Sequence, residues 1–118
     1  MTRRSVPIAV RYGEHLLSCH TLNRPVERML GLIARRWREL GVREGVILPC
    51  CSSIHTFGMS GPIDVCFVDT TSGIVLSSKR EVAPNRLITV KGADTVIERY
   101  SSITSWPMAG SSIGFESP

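Results

Sequence analysis

The sequence predicts a mainly-β domain with one amphipathic α-helix. Two observations carry this. Short apolar runs, several alternating in character and separated by Gly, Pro and Ser turns, occupy most of the chain. A single stretch, residues 24–40, instead repeats its apolar residues at helical spacing. With 118 residues, 42% hydrophobic and 20% charged, the chain has the size and composition of one soluble globular domain. Residues 1–100 read as that β-rich domain. Residues 101–118 read as a polar tail whose end is expected to be disordered.

The first element is a hairpin in "IAVRYGEHLLSCHTL". Ile8, Val10 and Tyr12 alternate, Gly13 and Glu14 turn, and His15 to Cys19 return. Gly13 supplies the positive φ that such a turn needs. The helix is expected in "NRPVERMLGLIARRWRELG", where Val26, Met29, Leu30, Ile33, Trp37 and Leu40 share one face. Asn23 suits the N-cap, Pro25 the first turn and Gly41 the C′ position. Gly31 within it costs ~1 kcal/mol relative to Ala.

The remainder reads as strands. "GVILP" is short and ends at Pro49. In "PIDVCFVD", Ile63, Val65 and Phe67 point one way and Asp64, Cys66 and Val68 the other. Both faces are largely apolar, as in a central strand. The turn "TTSG" leads into "IVLSS", and "RLITV" with a turn at Gly92 and "TVIERY" reads as a second hairpin. The tail "SSITSWPMAGSSIGFESP" has no period.

Charge is unevenly spread. Residues 1–45 hold nine Arg and four Glu, while residues 46–118 are close to neutral. Arg24, Arg28, Arg35 and Arg38 gather opposite the apolar stripe of the expected helix. Such a face could meet phosphates or an anionic membrane surface. A solvated face is the better reading, because the aromatic platform of single-strand binders is missing. Nucleic acid is therefore not the expected partner.

No apolar run approaches the roughly 18 residues of a transmembrane span. The apolar start breaks at Arg11, short of the roughly 7–15 apolar residues of a secretory signal. The four cysteines, Cys19, Cys50, Cys51 and Cys66, show neither a disulfide framework nor a CxxC pair. The expectation is a cytoplasmic protein with free thiols.

"CCSSIHTFGM", residues 50–59, concentrates the reactive side chains. A metal site would draw on Cys51 and His55 with Cys50 or Met59, but zinc needs three or four converging ligands, and elsewhere only His15, Cys19 and His20 remain. A nucleophile site would pair Cys51 with His55 as base and Asp64 as its orienter. No strand–turn–helix elbow or Gly-rich oxyanion loop accompanies them. The stronger reading is structural: Cys51 as a small hydrophobe, Phe57 and Met59 as core fillers, and His55 and Thr56 bonding backbone groups. Asp64, if buried, needs a donor, and His55 or a loop N–H is the nearest candidate. A ligand pocket would be lined by Cys51, His55, Met59 and Asp64. No catalytic residue, metal ligand or cofactor is expected.

The stretch "ILPCCSSIHTFGMSGPIDVCFVD" resembles the signature of an uncharacterised family, domain of unknown function 192. That pattern has a helix ending in Gly-Leu-Leu or Gly-Leu-Met and an Glu-Gly strand. Cys-x-Ser-Ile/Val-His-Thr-Phe-Gly-Met and Pro-Ile-Asp-Val-x-Phe-x-Asp follow. Here these match Gly31, Leu32 and Ile33, then Glu44 and Gly45, then Cys51 through Asp69. "GIVLSS" and "KGADTVIE" resemble the strands that come next, so the likeness spans roughly residues 8–100. It implies a small sandwich or partly open barrel with one helix packed on it, and no established activity. Two stretches depart from it. "ARRWREL" is longer and more basic than usual, and the residues after Glu98 do not follow the family's closing strand. The reading therefore leaves a sheet edge open.

The expected function is a non-enzymatic accessory or binding domain of a bacterial cytoplasm, with a protein or small-ligand partner. The alternative is a thiol- or metal-dependent site at Cys51, His55 and Asp64.

Overall fold

The computed structural model describes residues 7–22 and 44–117. Nine strands follow in chain order: β1 (Ile8–Tyr12), β2 (His15–Thr21), β3 (Glu44–Pro49), β4 (Ser53–His55), β5 (Ile63–Asp69), β6 (Ile74–Val82), β7 (Leu87–Thr89), β8 (Thr95–Tyr100) and β9 (Gly114–Glu116). Seven form one sheet in the order β6-β5-β8-β3-β2-β1-β9, and β4 and β7 form a separate two-stranded ribbon.

The hairpin β1–β2 forms as its alternation predicts, with Gly13 at φ 58° in the turn. β5 is an interior strand, second from the β6 edge and flanked by β6 and β8, and six of its seven residues are buried. Its alternation divides two apolar clusters. Cys66 and Val68 face one, with Val10, Leu17, Cys19, Ile47, Ile97, Trp106 and Ile113. Ile63, Val65 and Phe67 face the other, with Leu22, Val46, Leu48, Ile54, Met59 and Val96.

The sheet curls around the first cluster until its two ends approach each other. Ser112 bridges to Ile74 in β6, Val75 and Gly110 exchange backbone hydrogen bonds with Ser111 and Val75 respectively, and two residues on β9 begins its pairing with β1. Residues 101–117 thus join the same body: Trp106 and Ile113 are buried in it, and β9 covers the outer side of β1. The second cluster is covered by the ribbon, from which Ile54 enters the cluster and Ile88 packs against it.

This corrects the expected helix packed on the sheet. Among the described residues there is no helix, and strands and loops cover both apolar faces. The physical reason is curvature. A curled sheet supplies its own second wall, and a short ribbon shields the outer face of its central strands. The stretch 24–40, with Arg24, Arg28, Arg35 and Arg38, lies outside the described residues. No helix among the described residues is long and apolar enough to cross a membrane.

The second hairpin is also corrected. Leu87–Thr89 pairs with β4, and β8 inserts between β3 and β5. Both segments carry apolar alternation, so local pattern cannot choose their partners.

Candidate functional site

β4 is too short to build a core, so its alternation sorts its side chains between two environments. Ile54 points into the second cluster. His55 and Ser53 face outward, opposite Leu87 and Thr89. His55 stacks on Phe57 with ring centroids 5.5 Å apart, and Phe57 and Leu87 are exposed. The outer ribbon face is therefore a small apolar patch. Thr56 is fully buried and ties the ribbon together: its Oγ1 donates to the Ala83 carbonyl at 2.8 Å and accepts from the Arg86 N–H at 2.8 Å.

The four residues singled out in the sequence do not converge. Met59 lies within the second cluster and Cys51 packs against its edge. The Cys51 Sγ donates to the Ser53 carbonyl at 2.9 Å. His55 is on the outward side of the ribbon. Asp64 points to the opposite face of β5, away from Met59, where its carboxylate is fully engaged by other groups. Cys50 adopts φ 55° and turns the chain between β3 and β4. None of the four cysteines forms a disulfide, and Cys19 and Cys66 are buried. Burial pushes the Cys66 thiol up to about 12, and burial likewise raises Cys19, so neither is a thiolate at neutral pH.

Asp64 is the centre of the polar structure. It is fully buried, yet Oδ1 accepts from the Glu81 N–H at 3.0 Å and the Ser101 hydroxyl at 2.9 Å, and Oδ2 from Arg99 Nε at 2.9 Å. Burial alone would raise its pKa. The donated hydrogen bonds, with the Arg99 charge, outweigh it and hold the carboxyl below the usual carboxylate range. Arg99, also buried, donates its remaining bonds to the Thr104 hydroxyl at 3.0 Å and carbonyl at 2.9 Å and lies 4.6 Å above the Trp106 ring.

Asp64 also shapes the strand beside it. Ile63 pairs with Val82 and Val65 with Lys79, so Arg80 and Glu81 together oppose Asp64. Neighbours in a regular strand face opposite sides. This β-bulge, with Glu81 at φ 54°, breaks that rule, and both residues line one cleft. The cleft encloses about 540 Å³ and is completed by Pro62, Ser101, Ser102 and Ile103. Arg80 Nη2 donates to the Ser102 carbonyl at 2.6 Å and the Thr104 carbonyl at 2.7 Å and stands 3.8 Å from Asp64.

Sequence reasoning missed Arg80, Glu81, Arg99 and Ser101. A signal existed: Asp64 and Arg99 both interrupt runs that are otherwise apolar, and oppositely charged intruders in central strands need each other. What the local pattern lacks is the register that sets Asp64 opposite Arg99.

No family model matches the chain, and no curated protein is similar to it in sequence. Two crystal structures share its fold. A protein of unknown function from Novosphingobium aromaticivorans is 21% identical, with a TM-score of 0.69, covering 92% of this chain and 83% of its own. A protein assigned only provisionally as a transcription regulator, from Sinorhizobium meliloti, is 15% identical, with a TM-score of 0.75, covering 97% of this chain and 98% of its own. At these identities the likeness concerns the fold alone.

Proposed function

We propose that this protein is a non-enzymatic binding domain whose small-ligand site is the cleft beside Asp64. One observation carries the reading: the bulge places two consecutive, oppositely charged and exposed residues, Arg80 and Glu81, on the lining of a single concavity. Its volume falls in the range of small-ligand pockets, roughly 300–1,000 Å³. The acid beneath it is buried and paired, which suits a scaffold better than a proton donor or nucleophile. The alternative site at Cys51, His55 and Asp64 loses its support, because Asp64 faces away from the other two.

The same proposal places the protein in a reducing, bacterial cytoplasm. Four cysteines without a disulfide among them and the bacterial origin of both structural neighbours support this. Kinship with domain of unknown function 192 belongs to the proposal too, supported by the match at Cys51 through Asp69. The provisional assignment of one neighbour as a regulator is not carried over, and nucleic acid stays outside the reading.

A second reading has its own observation. The stacked His55 and Phe57 with exposed Leu87 form an apolar patch that suits a protein partner.

The test is an amide NMR titration with small carboxylates, amines, phosphates and zwitterions, beside a short DNA duplex. Saturable shifts confined to residues 62, 80–81 and 101–103, and lost in Arg80→Gln, are expected. Shifts from DNA alone, or from no small molecule, would overturn the proposal.

A further inference from the structure

We infer that the Asp64 cleft takes a small zwitterion of the α-amino-acid type, with its carboxylate on Arg80 and its ammonium on Glu81. This rests on reading the cleft as a ligand site and goes on to say what chemistry fits it.

The charges decide the class. Asp64 and Arg99 neutralise each other below the cleft, with 2.9 Å between Oδ2 and Nε. Arg80 stands 3.8 Å from the same carboxylate, so two guanidiniums share one Asp64 and one positive charge is left over, and Arg80 and Glu81 are the charged residues lining the cleft. Among the described residues neither forms an ion pair with the other, and no cation pairs with the Glu81 carboxylate. The cleft therefore presents a dipole. A simple anion would meet Glu81, a simple cation would meet Arg80, and a molecule with both charges satisfies each.

The donors are held in place. Arg80 spends two of its five N–H groups on the carbonyls of Ser102 and Thr104, which fixes the guanidinium and leaves Nε and Nη1 available. The Ser101 hydroxyl donates to Asp64 and keeps its lone pairs as acceptors for an ammonium. Glu81 cannot swing away with its backbone, because its N–H is bound to Asp64 at 3.0 Å.

The walls add a preference. Ile103 is fully exposed at 102%, and Pro62 lies beside the same cleft. An apolar ligand side chain laid on them removes apolar surface from water. An amino acid of leucine size meets all three requirements.

The experiment uses L-leucine, leucinamide and N-acetyl-leucine as probes in amide NMR titrations up to about 20 mM. Leucinamide lacks the carboxylate and N-acetyl-leucine lacks the ammonium. Leucine should shift the amides of Glu81, Ser101 and Ser102 saturably, and each altered probe should bind at least tenfold more weakly. Arg80→Gln should weaken leucine tenfold or more. Glu81→Gln, at an exposed position that leaves the backbone bond to Asp64, should weaken leucine while leaving N-acetyl-leucine unchanged. If Arg80→Gln fails to fold, Glu81→Gln decides alone. Equal binding of either altered probe overturns the zwitterion and keeps the cleft as a ligand site. Binding of other small molecules in the wider panel but not leucine does the same. No response to any small probe overturns both.

Discussion

Asp64 and Glu98 are equally buried carboxylic acids, 0% and 1% exposed, in the neighbouring interior strands β5 and β8 of the sheet. They meet opposite fates. Asp64 receives three hydrogen bonds, one of them from the Arg99 guanidinium, and is ionised. Glu98 stands opposite Val46 on one side and Val65 on the other, and its buried Oε2 has no hydrogen-bond partner. Burial pushes its pKa up to about 8, so it is largely protonated at neutral pH. Glu98 and Arg99 are adjacent in the chain, but strand alternation puts them on opposite faces. Arg99 serves Asp64 across the strand pair and is denied to Glu98 beside it. Burial by itself therefore does not set the charge of an acid. The face on which the nearest cation lies does.

The largest effect should come from breaking the paired side of this contrast. Arg99→Met removes the buried, hydrogen-bonded partner of the Asp64 carboxylate, leaving only the half-exposed Arg80 at 3.8 Å, and should cost ~3–5 kcal/mol in urea unfolding. Combining it with Asp64→Asn should cost much less than the two single losses together, since neither partner is then stranded. Strict additivity would mean the pair is not coupled.

The unpaired side is tested by pH. For Glu98 the folded pKa lies above the unfolded value of 4.5, so the folded state binds the extra proton. Stability should be greatest below about 4.5 and fall as pH rises toward 8. For Asp64 the sign is reversed: its contribution is present above the ordinary carboxylate range and is lost as pH falls through its depressed folded value. Glu98→Gln should abolish the alkaline fall and gain on the order of 1–4 kcal/mol at pH 9 relative to pH 4. Thermal unfolding of both proteins across that range is the check, and parallel profiles would show that Glu98 is not the group that titrates.

A smaller change sharpens the comparison. Thr104→Val removes the hydroxyl that accepts from Arg99 Nη1 while Asp64 keeps its own contacts. It should cost ~0.5–1.5 kcal/mol, the worth of one hydrogen bond. A loss as large as that of Arg99→Met would place the Thr104 hydroxyl, rather than the Asp64 contact, at the centre of the network.

Local pattern went far in the strands. The alternation of Ile63 through Asp69 identifies a strand buried on both faces, and Gly13 marks the first turn. The motif around Cys51 reads correctly as packing at Met59 and Cys51, but Phe57, expected as a core filler, is exposed, and the buried Nδ1 of His55, expected to bond a backbone group, has no hydrogen-bond partner. Its reading stops at Asp64: the residues around it suggest His55, nine positions away, whereas Arg99, 35 positions away, fills the role.

The amino-acid sequence by itself determines which short segments extend, which face of each is apolar and where Gly13 allows a turn, because those properties depend on residues a few positions apart. Only the tertiary structure decides that Leu87–Thr89 joins β4, that β8 sits between β3 and β5, and that residues 101–113 close the curled sheet. Several strands offer equivalent apolar faces and equivalent backbone donors and acceptors, so local preference leaves their partners degenerate. The choice is made by global packing: the arrangement that buries both apolar clusters at once is also the one that brings Arg99 to Asp64 and leaves Glu98 alone.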